Sequence, residues 1–197
     1  MNAKEQQGRK PRADVQRNRT ALLEAAQRHF LRDGVGTSLE AVAKEAGVGP
    51  GTLYRHFPTR EALLAAVLQS RTAELEARRE DIARIDDAGT ALTRWLRAME
   101  DYLSAYSGLP EPLMAATRAQ DPDNPLTVPC DELIATTDGY VRAAQRTGYV
   151  RTSATGYDLF LAACSVAWIK GTGTTAESVD RLRSLIAHGY REPNDRP

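Results

Sequence analysis

The sequence predicts an all-α chain: a three-helix unit built on a helix-turn-helix, followed by a larger helical part, about nine helices in total. Three observations carry this. Apolar residues recur three and four apart along most of the 197 residues. Aromatic content is only 6%, and alternating runs of β-branched residues are missing. Glycines, prolines and short polar clusters break the apolar periods where helices would end.

Residues 1–16, MNAKEQQGRKPRADVQ, are polar and carry Arg9, Lys10 and Arg12. Too little apolar surface is present to offset ordering entropy, so the stretch reads as a disordered basic arm. Such an arm either follows DNA phosphates into a minor groove or is an idle solvated tail. A first helix is expected from Arg17 to Asp33, with Leu22, Leu23, Ala26, Phe30 and Leu31 inward and Gly34 as its stop.

The stretch Thr37–Phe57, TSLEAVAKEAGVGPGTLYRHF, then predicts two short helices around a tight turn. Thr37 fits an N-cap with Glu40 as capping-box partner, and Ser38 is the alternative cap. Leu39, Val42, Ala43 and Ala46 mark one apolar face, and Gly47 ends the helix. Pro50 opens the second helix, where its missing N–H is no loss. There Leu53 and Phe57 point inward, Gly51, Thr52 and Arg55 outward, and Tyr54 and His56 lie on the flanks. Small, hydroxyl and cationic groups at the exposed start of a short helix suit a DNA major groove. Arg55 is the candidate for reading guanine, with a phosphate contact as the alternative.

Pro58 breaks this helix and Thr59 caps a long one carrying Leu64, Val67, Leu68, Leu75 and Ile82. Its length of about 40 Å, at 1.5 Å rise per residue, lets it belong to both parts of the chain. Further helices are expected over Thr90–Tyr106, Glu111–Ala119, Pro129–Arg146, Thr155–Lys170 and Thr175–Tyr190. A proline-rich loop, Asp121–Pro129, lies among them. The Thr155–Lys170 helix is apolar almost all round, which calls for cover on every side. A homodimer in which the last two helices of each chain form a four-helix bundle supplies it, with Phe160, Cys164, Ala167, Trp168, Leu182 and Ile186 as candidate interface residues. A central helix of a monomer is the alternative.

The net charge is zero, yet it is unevenly placed: eleven Lys/Arg against six Asp/Glu through Arg60, and fifteen against twenty beyond. A basic front is the asymmetry expected when that part meets phosphates. Cys130 and Cys164 have no CxxC spacing, which argues against a disulfide framework or zinc site. No glycine-rich phosphate loop or HExxH is present, and no histidine adjoins a cysteine. No catalytic residue, metal or cofactor is therefore expected. No apolar run reaches the roughly 18 residues of a membrane span, and the N-terminus lacks an apolar signal core, so a cytoplasmic protein without membrane contact is expected.

The segment Arg19–Leu68 resembles the DNA-binding domain of TetR-family transcriptional regulators. The strings LLEAAQRHFLRDG, VAKEAGVGPGTLYRHF and PTREALLAAV carry the resemblance. It implies a DNA-binding domain over 17–75 and a helical effector-binding and dimerisation domain over 76–197. Ser38, Thr52, Tyr54 and His56 match positions that commonly contact phosphates or bases, and Pro50, Gly51 and Arg55 match positions that face base edges. Arg60 matches a basic residue that holds the DNA backbone. Glu40 stands where arginine is frequent. The resemblance further implies a repressor that binds a palindromic double-stranded operator as a dimer and is released by a small molecule of unknown identity. Trp95, Met99, Tyr102, Tyr106, Met114 and Tyr140 are the candidate pocket residues. The alternatives are a thiol-sensing regulator using Cys130 and a DNA-binding protein without an effector.

Overall fold

The computed structural model describes residues 9–192. Among them the chain forms nine α-helices: α1 (Arg9–Asp33), α2 (Leu39–Glu45), α3 (Pro50–His56), α4 (Arg60–Ile82), α5 (Ala88–Leu103), α6 (Pro110–Ala119), α7 (Thr127–Arg146), α8 (Gly156–Gly171) and α9 (Ala176–Tyr190). The one extended pairing among these residues is an isolated antiparallel bridge between Val150 and Arg191. The all-α reading and the order of helices hold.

Two expectations need correction. Helix α1 begins at Arg9, so 9–16 is helical rather than part of a disordered arm; residues 1–8 lie outside the described residues. Pro11 falls in the first turn, where its missing N–H breaks no helical bond, and the polar residues that follow are adequate helix formers. An Arg17–Asp14 pair one turn apart adds to this. The cap of α2 is Ser38, not Thr37: Ser38 Oγ accepts from Ala41 N at 3.2 Å. Its hydroxyl donates to Glu40 at 2.8 Å, so Glu40 does not close a capping box with Thr37.

Helices α1–α3 and the first turns of α4 form a head around Leu22, Ala26, Phe30, Val42, Leu53, Phe57, Leu63 and Val67, all essentially without solvent exposure. In the body, α5 lies against α4, α7 and α8. Its buried stripe of Leu92, Trp95, Leu96, Met99 and Leu103 recurs at helical spacing. Burying each such side chain is worth roughly 1.5–3 kcal/mol before entropy is counted. Helix α8 is the other central element, with Leu159, Phe160, Ala163, Cys164 and Ala167 buried. Helix α9 is shallow and buries only Val179 and Tyr190 fully.

Head and body meet at three places. Helix α4 buries Leu63, Leu64, Val67 and Leu68 near its start and Leu75 and Ile82 farther on. Phe30 of α1 meets the ring of Tyr106 edge-on at 5.9 Å. The α1–α2 turn lies on the α5–α6 turn, with Val35 N donating to the Ser107 carbonyl at 2.9 Å. Gly34 makes that approach possible. Its φ is +79°, and a Cβ there would stand 2.7 Å from the Ser107 carbonyl oxygen.

Candidate functional site

The exposed surface of the head is set by what α2 and α3 must bury. Leu53 and Phe57, one turn apart, are 1% and 3% exposed and seat α3 on the head core. Gly47 takes φ +71° at the turn between the helices, as expected of a C′ glycine. Gly49 is the N-cap of α3 and Pro50 its first residue. Pro50, Gly51, Tyr54 and Arg55 are consequently exposed, and Thr52 and His56 half-buried. Ser38 is exposed at the start of α2. These residues lie at the start of α2 and along α3.

Two features of that surface bear on nucleic acid. Arg55 makes no ion pair among the described residues, so its guanidinium is available to a partner. A Cβ at Gly51 would meet nothing within 4 Å. The fold does not need glycine there, although glycine within a helix costs about 0.5–1 kcal/mol relative to alanine. A smooth patch of backbone is what remains, suited to close approach by another molecule.

Arg60, which the resemblance matches to a residue holding the DNA backbone, is also tied into the head itself. It is half-buried, and one guanidinium nitrogen donates to the carbonyls of Val35 and Thr37 at 2.8 and 2.7 Å. It braces the turn that leads into α2. His29, which the sequence reading did not assign to this region, is a second brace. It is 5% exposed, with Nε2 2.9 Å from Glu45 on α2. A carboxylate only accepts, so Nε2 carries the proton. Nδ1 faces Thr37 Oγ1 and an Arg32 guanidinium nitrogen, both at 3.2 Å. Thr37 thus serves the α1–α2 link instead of the cap. Glu45 also accepts from Arg28 at 2.6 Å, which holds its carboxyl below the usual range. A histidine in an apolar period gives no sequence signal for such a network, because its partners lie on another helix.

The expected pocket residues of the body are not gathered in one cavity. Trp95 is buried, donates to Thr137 Oγ1 at 2.9 Å and stacks on Tyr140 at 5.5 Å. Met99 and Tyr106 are core residues, and Met114 is partly buried against that core. Only Trp95 and Tyr102 of the set line the groove of about 430 Å³ between α4, α5 and α7. A separate cavity of about 300 Å³ lies between α5, α8 and α9, lined by none of the expected residues.

The candidate interface divides as well. Phe160, Cys164 and Ala167 are at most 2% exposed and face the core of their own chain, so they are not at an open surface. Helix α8 was expected to lack cover on one side, and the exposed side carries Tyr157 and Trp168 with half-buried Leu161. On α9, Leu185 is the exposed apolar residue, while Leu182 and Ile186 are half-buried.

Cys130 also departs from expectation. It is buried in the first turn of α7, with its thiol directed at the Leu113 carbonyl at 3.7 Å. Burial pushes this thiol, and that of Cys164, up to about 12. Neither is a thiolate at neutral pH, and the thiolate is the reactive species. No helix among the described residues is long and apolar enough to cross a membrane.

Residues 22–67 match the family profile described as bacterial regulatory proteins, tetR family. Residues 87–192 match a profile described as transcriptional regulator SbtR-like, C-terminal domain. The chain is similar to the HTH-type transcriptional regulator UidR of Escherichia coli K12, 39% identical over 74 residues, which is 36% of this chain and 38% of the relative. It is also similar to the regulator SAB2452 of Staphylococcus aureus, 33% identical over 96 residues, 48% of this chain and 43% of that one. The chain thus spans less than half the length of these two relatives. Among solved structures, the TetR transcriptional regulator SCO0520 of Streptomyces coelicolor superposes with a TM-score of 0.55 and 30% identity, covering 89% of this chain and 99% of that chain. An exposed helix α3 on a braced three-helix head, a helical body behind it and profiles covering both parts lead to one conclusion: the chain belongs to the TetR family and is a DNA-binding transcriptional regulator, not an enzyme.

Proposed function

We infer that the chain is a repressor that binds a palindromic operator as a homodimer and leaves it when a small molecule occupies the body. The observation that carries this reading is the α3 face. Pro50, Gly51 and Arg55 stand exposed and unpaired beside the two anchors, Leu53 and Phe57, that fix the helix. Helix α3 would enter the major groove, with Arg55 at a guanine edge and Ser38, Thr52, Tyr54 and His56 toward phosphates or flanking bases. Arg60 contributes to this surface by holding the α1–α2 turn.

A two-fold dimer gives two reading helices, and hence half-sites separated by the groove repeat. The exposed apolar side of α8, with Leu185 of α9, supports that dimer. The cavities of the body support an effector, whose binding would shift the population of dimer geometries away from the operator spacing. The thiol-sensing alternative loses its support, because Cys130 is buried and protonated.

Selection of genomic DNA fragments by the purified chain at fixed salt tests the reading. A palindromic site should emerge, and Arg55→Ala should weaken binding to it by about 1–3 kcal/mol and relax preference at one base pair per half-site. A non-palindromic product would remove the dimeric operator, and an unchanged preference in the variant would reduce Arg55 to a phosphate contact.

A further inference from the structure

The cavity between α5, α8 and α9 has a defined chemistry. Its middle is apolar, with Leu96 of α5, Leu159, Ala163 and Val166 of α8 and Ala187 of α9. The small side chains of Ala163, Ser184 and Ala187 are what leave the space. One end is closed by Glu100, which is 6% exposed. Glu100 Oε2 accepts from Arg183 Nε at 2.6 Å, and no hydrogen bond reaches its other oxygen among the described residues. Arg183 also donates to Asp180 at 2.6 Å. One guanidinium is therefore shared by two carboxylates.

None of the remaining cations among the described residues bonds the free oxygen of Glu100. Lys170, the next cation toward Glu100, is taken by Asp101 at 3.0 Å, and Asp101 also accepts from Arg78. Arg97 is at the rim with its side chain in solvent. Arg191, at the far end, lies over the ring of Tyr149 at 5.1 Å, and its buried Nε has no hydrogen-bond partner among the described residues. At the Glu100 end an incoming anion would meet two carboxylates, the buried Glu100 and the largely exposed Asp180, around an arginine already matched. An incoming cation would give the unpartnered oxygen of Glu100 a donor.

We propose that this cavity binds an amphipathic organic cation, with its ammonium or amidinium head on Glu100 and its apolar body between α5, α8 and α9. The proposal deepens the effector reading above and rests on it for its regulatory meaning. From Glu100 to Thr93 the α5 wall spans seven residues, about 10 Å at 1.5 Å per residue, close to the length of an eight-carbon chain. The cavity lies on the side of α8 opposite Trp168, so a dimer formed through that outer side leaves it accessible.

The full chain titrated calorimetrically with n-octylammonium, octanoate and 1-octanol provides the test. Octylammonium should bind at least tenfold more tightly than either of the other two. Glu100→Gln should reduce that preference below threefold while leaving octanol binding in place. Ser184→Trp, which fills the cavity from its exposed edge and spares the ion pair, should remove binding of all three. Tighter binding of octanoate, no binding at all, or a preference that survives Glu100→Gln would overturn the proposal. Should Glu100→Gln not fold, octylammonium binding that persists in Ser184→Trp would overturn it equally. Operator release is read separately by fluorescence anisotropy. Glu100-dependent binding without release upholds the cation site and removes the release reading. Release by compounds that bind regardless of Glu100 does the reverse.

Discussion

The head and the body are held together by different means. In the head, short helices are tied to their neighbours by directed polar contacts: Arg60 to two carbonyls, His29 to Glu45, Arg28 to Glu45 and Ser38 to the first turn of α2. The body combines such ties between helices, as from Trp95 to Thr137 and Arg183 to Glu100, with apolar contact along longer helices, and between them it leaves cavities of about 300 and 430 Å³. Directed contacts fix one geometry, whereas apolar contact between helices accepts several of similar energy. A surface that must match DNA benefits from the first. A sensor that changes shape around a small molecule needs the second.

The largest effect is expected where the body offers an apolar surface. Trp168 is half exposed, on the same face of α8 as Tyr157 and Leu161. If this side is the dimer interface, Trp168→Glu places a charge in it and should cost roughly 2 kcal/mol or more, some thirtyfold in dimer Kd. Sedimentation velocity across a concentration series reads the shift. A wild-type chain that is dimeric, with a variant equally so, would move the interface elsewhere.

Arg60→Ala is the matching break in the head. Removing a charged donor from two carbonyls should lower stability by about 1.5–3 kcal/mol, seen in urea unfolding. Arg60→Lys offers a single ammonium and should recover part of it. The sequence match gives Arg60 to the DNA backbone instead. A phosphate contact would leave stability alone and reduce the salt slope of DNA binding by about one ion. The two measurements therefore separate brace from contact.

This contrast also explains what was legible in the sequence. The caps and breakers around α3 act within a few residues, so Gly47, Pro50 and the inward Leu53–Phe57 pair were readable at once. Ser38 against Thr37 was a choice between adjacent hydroxyls, decided by a histidine eight residues away on another helix. In the body, periodicity identified the buried stripe of α5 but not which stripe faces a void. Trp95 and Met99 fill their space, whereas the cavity arises where α8 and α9 contribute alanine and serine opposite Leu96 and Glu100. Cavities depend on helix spacing, and no single helix encodes that. For the same reason Phe160, Cys164 and Ala167 could not be told from Trp168 on an all-apolar helix.

A smaller effect should separate fold from function within the head. Gly51→Ala adds a methyl group where the chain itself has open space. The fold should gain about 0.5–1 kcal/mol, read as a higher urea midpoint. Affinity for the selected operator should fall, because the methyl stands between the α3 backbone and the groove. Gained stability with undiminished affinity would mean that DNA does not approach Gly51.

Acid should act against the head throughout, whereas in the body one buried carboxyl opposes the loss. In the head, the Arg28 bond to Glu45 and the Arg32 bond to Asp33 hold those carboxyls below their ordinary values of 4.5 and 3.8. Their contribution is present above those values and is lost as pH falls through the lowered folded ones. In the body, Asp87 and Asp138 are lowered likewise by bonds from Thr90 and Gly156, whereas burial pushes Glu100 up despite Arg183. Its ionisation within the fold carries a cost that grows as pH rises past 4.5 and is relieved as pH falls. Trp95 and Trp168, the two tryptophans, both belong to the body, so tryptophan fluorescence follows the body while circular dichroism follows every helix. On titration below pH 4.5 the helical signal should begin to fall before the tryptophan signal moves. Simultaneous loss of both would show that the braces of the head do not set its acid stability separately from the body.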